Sequence, residues 1–214
     1  MFPGFSHPFS CVIAGPSQSG KTVFVRKLLK GLHLYIDEPP ERIVWCYGIQ
    51  NDNQLNSIKN GTSVPIEFID GLPDLNIFSS NDRNLLILDD LMSIAGKNKE
   101  TADLFTKHCH HKNISVILVL QNLFHKAPFM RDIHTSCNYL VVFKNPRDNA
   151  QISFLERQCF PQWKKYLIQS YAFACSRPFG YLLIDLKQTT QNDRRLMTGI
   201  FPPEQFFYFA PVKF

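Results

Sequence analysis

The run Gly15-Pro16-Ser17-Gln18-Ser19-Gly20-Lys21-Thr22 sets a glycine, four open positions, a second glycine, a lysine and a hydroxyl residue in fixed order. That is the pattern of a loop whose backbone N–H groups wrap a phosphate chain against the start of a helix. Gly15 and Gly20 are expected to supply positive φ and close backbone approach. Lys21 reaches the β- and γ-phosphates, and the Thr22 hydroxyl ligates Mg²⁺. A second cluster follows at 85–90, where Leu85-Leu86-Ile87-Leu88 ends in Asp89 and Asp90. Asp89 is read as holding Mg²⁺ through water, and Asp90 as orienting and deprotonating an attacking water. Two other readings stand beside this one: both acids ligate the metal, or one caps the next helix. The third candidate is Gln121, whose amide can bond the γ-phosphate or the water unless it merely closes its strand in a turn. Together these residues imply Mg²⁺-assisted hydrolysis of a nucleoside triphosphate.

Such residues need strands that end at one edge of a sheet and a helix that starts beside them. Apolar runs at 9–14, 42–47, 65–69, 85–89, 115–120, 139–143 and 181–186 read as strands. Several lack polar alternation, as expected of strands covered on both faces, so the fold class is α/β, a mostly parallel twisted sheet with helices on both faces. Helices are expected at 21–32, where Val25, Leu28, Leu29 and Leu32 share a face, at 101–111 and at 147–159, with a short one around 54–59. The segments around Pro39-Pro40, 48–63 and 96–99 read as connections. At a buried strand's carboxyl end, Gln121 would sit beside the ligand.

The chain has 214 residues, 44% hydrophobic and 13% aromatic, enough for one domain with its own core. No linker or repeat divides it, so a single domain over 1–214 is expected, with a core at about 7–190 and an aromatic tail at about 200–214. The formal charge of +5 is unevenly placed. Residues 1–90 carry 7 basic and 10 acidic side chains, residues 91–214 carry 16 and 8, and an anionic polymer would feel the second part first. Cys11, Cys46, Cys109, Cys137, Cys159 and Cys175 form no C-x-x-C pair and read as reduced, mostly buried thiols. No basic-then-apolar leader opens the sequence, and no apolar run approaches the roughly 20 residues of a membrane span. An intracellular protein without membrane contact is expected. His108, Cys109, His110 and His111 invite a zinc reading, but adjacent residues at a helix end point in different directions and do not converge on one ion.

The order of these three elements resembles the FtsK/HerA group of P-loop ATPases, ring-forming DNA translocases of RecA/ASCE-like type in which a strand end bears a glutamine. The strings His7-Pro8-Phe9, Leu88-Asp89-Asp90-Leu91-Met92, Gln121-Asn122-Leu123-Phe124-His125 and Phe143-Lys144-Asn145-Pro146-Arg147-Asp148, with Tyr181-Leu182-Leu183-Ile184-Asp185-Leu186, look like the DNA-packaging ATPases of Polinton/Maverick elements and adintoviruses. Poxvirus packaging ATPases are the more distant relatives. The resemblance implies a motor threading double-stranded DNA into a preformed capsid and a ring homo-oligomer, pentamer or hexamer, with a capsid or portal protein as further partner. It also implies a host nucleus or cytoplasmic assembly site, and transient presence on the virion. Where related ATPases often carry arginine before the glutamine strand, residues 105–112 offer lysine, which lacks the planar fork that spans two phosphate oxygens. Arg147 or Arg131, acting from a neighbouring subunit, are the arginine-finger candidates; Arg147 pairing with a nearby acid is the alternative.

Residues 105–165 hold 9 Lys or Arg against 3 acids, which suits sequence-independent contact with DNA phosphates as well as it suits a solvated basic surface. Lys126 and Arg131, expected in the loop after the glutamine strand, and Lys164 and Lys165 are the DNA-contact candidates. Other functions are weaker or remain open. A small-molecule kinase would want an arginine-rich lid, and a GTPase an Asn-Lys-x-Asp tetrapeptide; neither is present. A nucleotide-dependent scaffold with little turnover stays open, because Asp90 stands where many relatives of the group have glutamate.

Overall fold

In a computed structural model, residues 2–124, 126–147 and 150–211 are described. His125 and Asp148, which the family-like strings include, lie outside the described residues, as do the side chains of His108 and His110. The chain runs β1 (Ser10–Ala14), α1 (Lys21–Lys30), α2 (Leu32–Tyr35), β2 (Arg42–Tyr47), α3 (Asp52–Lys59), β3 (Ile66–Asp70) and β4 (Asn84–Asp89). It continues through α4 (Met92–Ala95), α5 (Lys99–Asp103), a π-helical turn (Leu104–His108), α6 (Cys109–His111), β5 (Ile114–Leu120), α7 (Met130–Ser136) and β6 (Tyr139–Phe143). α8 (Ala150–Cys159), α9 (Tyr166–Ala174), β7 (Tyr181–Asp185), β8 (Leu196–Thr198) and β9 (Phe207–Phe209) complete it.

The strands form one sheet in the order β3-β2-β4-β5-β1-β6-β7-β8-β9. The six from β3 to β6 are parallel, and β7, β8 and β9 join antiparallel. Side chains of a strand alternate between faces, and here both faces are covered. Val12, Val44, Leu86, Leu118 and Leu140 enter one core with residues of the π-helical turn, α7, α8 and α9. Their neighbours Ile13, Trp45, Ile87, Ile117 and Val141 enter the other, with Phe24, Val25, Leu28 and Leu29 of α1. This double burial is why the central strands read as unbroken apolar runs.

Several boundaries differ from the sequence reading. The helix expected over 21–32 stops at Gly31 (φ −125°, ψ 38°), whose missing side chain leaves room for the Tyr35 ring, and a second short helix follows. α8 is described from Ala150, and Arg147, where the helix was expected to open, lies in the turn after β6. Arg131 belongs to α7, not to a loop; a seven-residue helix with only Met130 and Ile133 buried carries too little periodicity to announce itself. α9 begins at Lys165 with left-handed φ of 64° and no cap of its own. Its first backbone N–H groups are satisfied from α8 instead: the buried Glu156 carboxylate accepts from Lys165 N at 3.0 Å and Ile168 N at 3.1 Å. The aromatic tail adds β9 to the sheet, with Phe207 and Phe209 edge-on to Phe173 of α9.

Candidate active site

β1 lies between β5 and β6, so the chain after β1 opens at the carboxyl edge of the parallel strands where the sheet order reverses. The loop 15–20 leads there into α1, with Gly20 (φ 106°) at the helix start. Gly20 thus has the left-handed backbone expected of it, whereas Gly15 does not. Gly15 is required by proximity: a Cβ there would lie 2.6 Å from Phe143 Cβ and 2.8 Å from Ser19 Oγ. Lys21 Nζ donates to the carbonyls of Gly15 (2.7 Å) and Pro16 (2.8 Å), which folds its side chain across the loop.

β4 and β5 deliver the other two elements. Asp89, Asp90 and Gln121 line one cleft of ≈ 280 Å³ with Ser17, Gln18, Lys21 and Thr22. Gln121 Nε2 donates to Asp90 Oδ1 at 2.8 Å, and Gln54 Nε2 to Asp89 Oδ2 at 3.3 Å. Burial, together with the negative neighbour Asp90, pushes the Asp89 carboxyl up to about 6, against the pull of Lys21 and the Gln54 amide. Burial lowers the Lys21 ammonium, while Asp89 and Asp90 oppose that. The donor set is one that fits Mg²⁺: a hydroxyl and a carboxylate, both hard oxygens, beside a second carboxylate whose repulsion a cation would relieve.

Residues the sequence reading passed over complete the cleft. Tyr47 ends β2, Ile49 and Asn51 lie in the connection that follows, and Gln54 is on α3, whose N-cap Asn51 accepts from Gln54 N. Gly48 packs so closely that a Cβ would lie 2.7 Å from the Asp90 carbonyl oxygen, and Gly48 N donates to Asp89 O at 3.2 Å. Asp90 has φ of 57°, so the chain turns sharply after Asp89 and the two acids diverge from one strand end. A glycine two positions before a polar stretch was the one available signal for this contact.

The remaining candidates stand elsewhere. Arg147 is exposed after β6, with its N–H donating to Asn145 Oδ1, and Arg131 is exposed on α7; neither lines the cleft. Lys126 is exposed. Lys164 and Lys165 line a separate cleft of ≈ 610 Å³ with Trp163, Phe173 and Tyr208.

A phosphate loop entering the first helix, acids ending a neighbouring parallel strand and a glutamine ending the next define a P-loop NTPase fold. The chain belongs to the Poxvirus A32 protein family, whose model matches residues 41–184, more than half of its length. That match begins beyond residues 15–22, so the phosphate loop stands on its own sequence and geometry. Among solved structures, the chain is similar to the genome packaging NTPase B204 from Sulfolobus turreted icosahedral virus 2 in complex with AMP: TM-score 0.58, 10% identity, 100% of both chains covered. It is also similar to B204, the DNA-packaging ATPase from Sulfolobus turreted icosahedral virus (TM-score 0.57, 11% identity, 98% of this chain and 100% of that one). The ATP-gammaS complex of the former gives 0.54 at 10% identity over 96% and 98%. At these identities the likeness carries the fold. No curated protein sequence matches.

Proposed function

We propose that the chain is an ATP-hydrolysing motor that moves double-stranded DNA into a viral or virus-like capsid. The observation that carries this is the single cleft in which Lys21, Thr22, Asp89, Asp90 and Gln121 meet. Family membership and the packaging proteins of like fold support the same reading. In it, Lys21 exchanges the carbonyls of Gly15 and Pro16 for the β- and γ-phosphates. Thr22 and Asp89 hold Mg²⁺, which when bound neutralises charge on the phosphates. Asp90 takes a proton from the attacking water while Gln121 fixes the carboxylate through its amide. A ring, pentamer or hexamer, would bring Arg147 or Arg131 to a neighbour's γ-phosphate, where an arginine is typically worth about 10³ to 10⁵ in rate. Lys126, Arg131, Lys164 and Lys165 are the proposed DNA contacts, with a capsid or portal protein as further partner. Origin in the Polinton/Maverick and adintovirus group, and action at an intracellular assembly site, belong to the same proposal.

The test is steady-state ATPase activity with and without double-stranded DNA, together with solution mass in ATP and DNA. DNA-stimulated turnover that disappears in Lys21→Ala is expected. A lasting monomer without turnover would leave instead the second reading, an ATP-binding scaffold, which the short Asp90 side chain, already engaged by Gln121, favours.

A further inference from the structure

The acidic cleft accounts for only one side of the phosphate loop. Asp89 ends β4, and Asp90 and Gln121 directly follow β4 and β5, to one side of β1, whereas β6 and β7 lie on the other. A triphosphate whose terminal phosphate meets Asp90 and Gln121 must direct its nucleoside away from them, past Gly20 toward β6 and β7. A second cleft opens there, ≈ 350 Å³, bounded by Gly20 and Val23 of the loop and α1, by Phe143, and by the β6–β7 connection through Phe179. Its volume suits a small aromatic ligand, and its walls are chiefly apolar.

We propose that this cleft holds the base of the bound nucleotide, with the Phe179 ring as the stacking surface. The inference rests on the ATP reading and adds the residues that would recognise the base. Phe179 is 68% exposed and Val23 51%, so two apolar side chains face solvent beside a phosphate loop. The Phe179 ring lies against the loop: a Cβ on Gly20 would be 3.4 Å from Phe179 Cβ and Cδ1. Phe179 also has φ of 59°, a left-handed backbone that a bulky residue adopts at a cost and that glycine adopts freely. Gly180 adjoins it, yet the chain sets a phenyl ring at the strained position. The far wall comes from the C-terminal segment. Glu204 accepts from Lys27 Nζ of α1 at 2.6 Å and from the Tyr181 hydroxyl at 3.0 Å, which pins the segment over the cleft.

The experiment compares the affinity of the full chain for ATP and for inorganic tripolyphosphate, both with Mg²⁺, in the wild type and in Phe179→Gly, Phe179→Trp and Lys21→Ala. Glycine suits the left-handed backbone, so Phe179→Gly removes the ring without unfolding the connection. Expected is an ATP affinity weakened about 5- to 100-fold in Phe179→Gly and retained in Phe179→Trp, with tripolyphosphate affinity within about twofold of the wild type in both. Wild-type ATP binding no tighter than tripolyphosphate, or an unchanged ratio in Phe179→Gly, overturns the base site alone. Failure of ATP to bind, or binding indifferent to Lys21→Ala, overturns the phosphate-loop reading and the base site with it.

Discussion

The Gln121 amide donates to the Asp90 carboxylate across 2.8 Å, joining the ends of β4 and β5 at the point where hydrolysis would occur. Asp90→Asn removes the proposed base and leaves Lys21, Thr22 and Asp89 in place. Turnover should fall by about 10² to 10⁴ with ATP affinity within a few-fold of the wild type. Gln121→Leu removes one hydrogen bond to a charged group and should cost about 10- to 100-fold in turnover. Single-turnover hydrolysis with parallel nucleotide titration checks both; equal losses in affinity and rate would move these residues from catalysis to binding.

Gly15 should tolerate no side chain, for a reason distinct from backbone conformation. In Gly15→Ala the new methyl meets Phe143 Cβ at 2.6 Å, an atom fixed to the β6 backbone. A loss of about 1 to 3 kcal/mol in stability is expected, with loss of nucleotide binding as the loop shifts. Leucine keeps the Cβ, so Phe143→Leu should not rescue Gly15→Ala. Thermal melts and ATP titration of the double variant decide it, since rescue would place the clash on the ring.

Glu156 accepts two backbone N–H groups at the start of α9 and is itself buried. Glu156→Ala leaves both donors unpaired and should destabilise the fold by about 1 to 3 kcal/mol. Glu156→Gln retains an acceptor oxygen and should lose less. Urea unfolding of the pair measures this, and amide exchange at Lys165 and Ile168 should quicken before the rest of the protein.

His134 of α7 links stability to acidity. Among the described residues neither ring nitrogen finds a hydrogen-bond partner; the Leu123 backbone lies near enough only to favour the charged form slightly. Burial lowers the ring from 6.5 to about 4. Between those values the unfolded chain binds the proton that the folded one excludes, so this stability is fully present above 6.5 and is lost as pH falls toward 4. The loss is at most about 3 kcal/mol. Urea midpoints at pH 7.5 and 4.5 should converge in His134→Leu relative to the wild type.

The strands that bear the site were legible because each is buried on both faces and ends in polar residues, as Leu88-Asp89 and Leu120-Gln121 do. What escaped was whatever depends on a distant partner. α9 starts without a local capping side chain because its acceptor, Glu156, sits nine residues earlier on another helix. β8 and β9 have three residues each, too few for alternation to register. The reason for Gly15 lies on β6, and that for Gly48 in the turn after β4. Tyr181, Phe179 and Glu204 carry no local mark of sharing a cleft with Gly20; only the antiparallel return of β7 brings them there.

The place of β1 in the sheet sets an order in time. β1, the earliest in sequence of the nine described strands, pairs only with strands made about a hundred residues later: Ser10 waits for Val116, and Cys11 for Tyr139. Until β5 and β6 have emerged, the phosphate loop hangs from an unpaired strand, and closing so long a loop comes late and slowly. On the proposed ATP reading, the growing chain is blind to nucleotide until β6 has emerged, and ATP could favour the folded state only once that last parallel strand is in place.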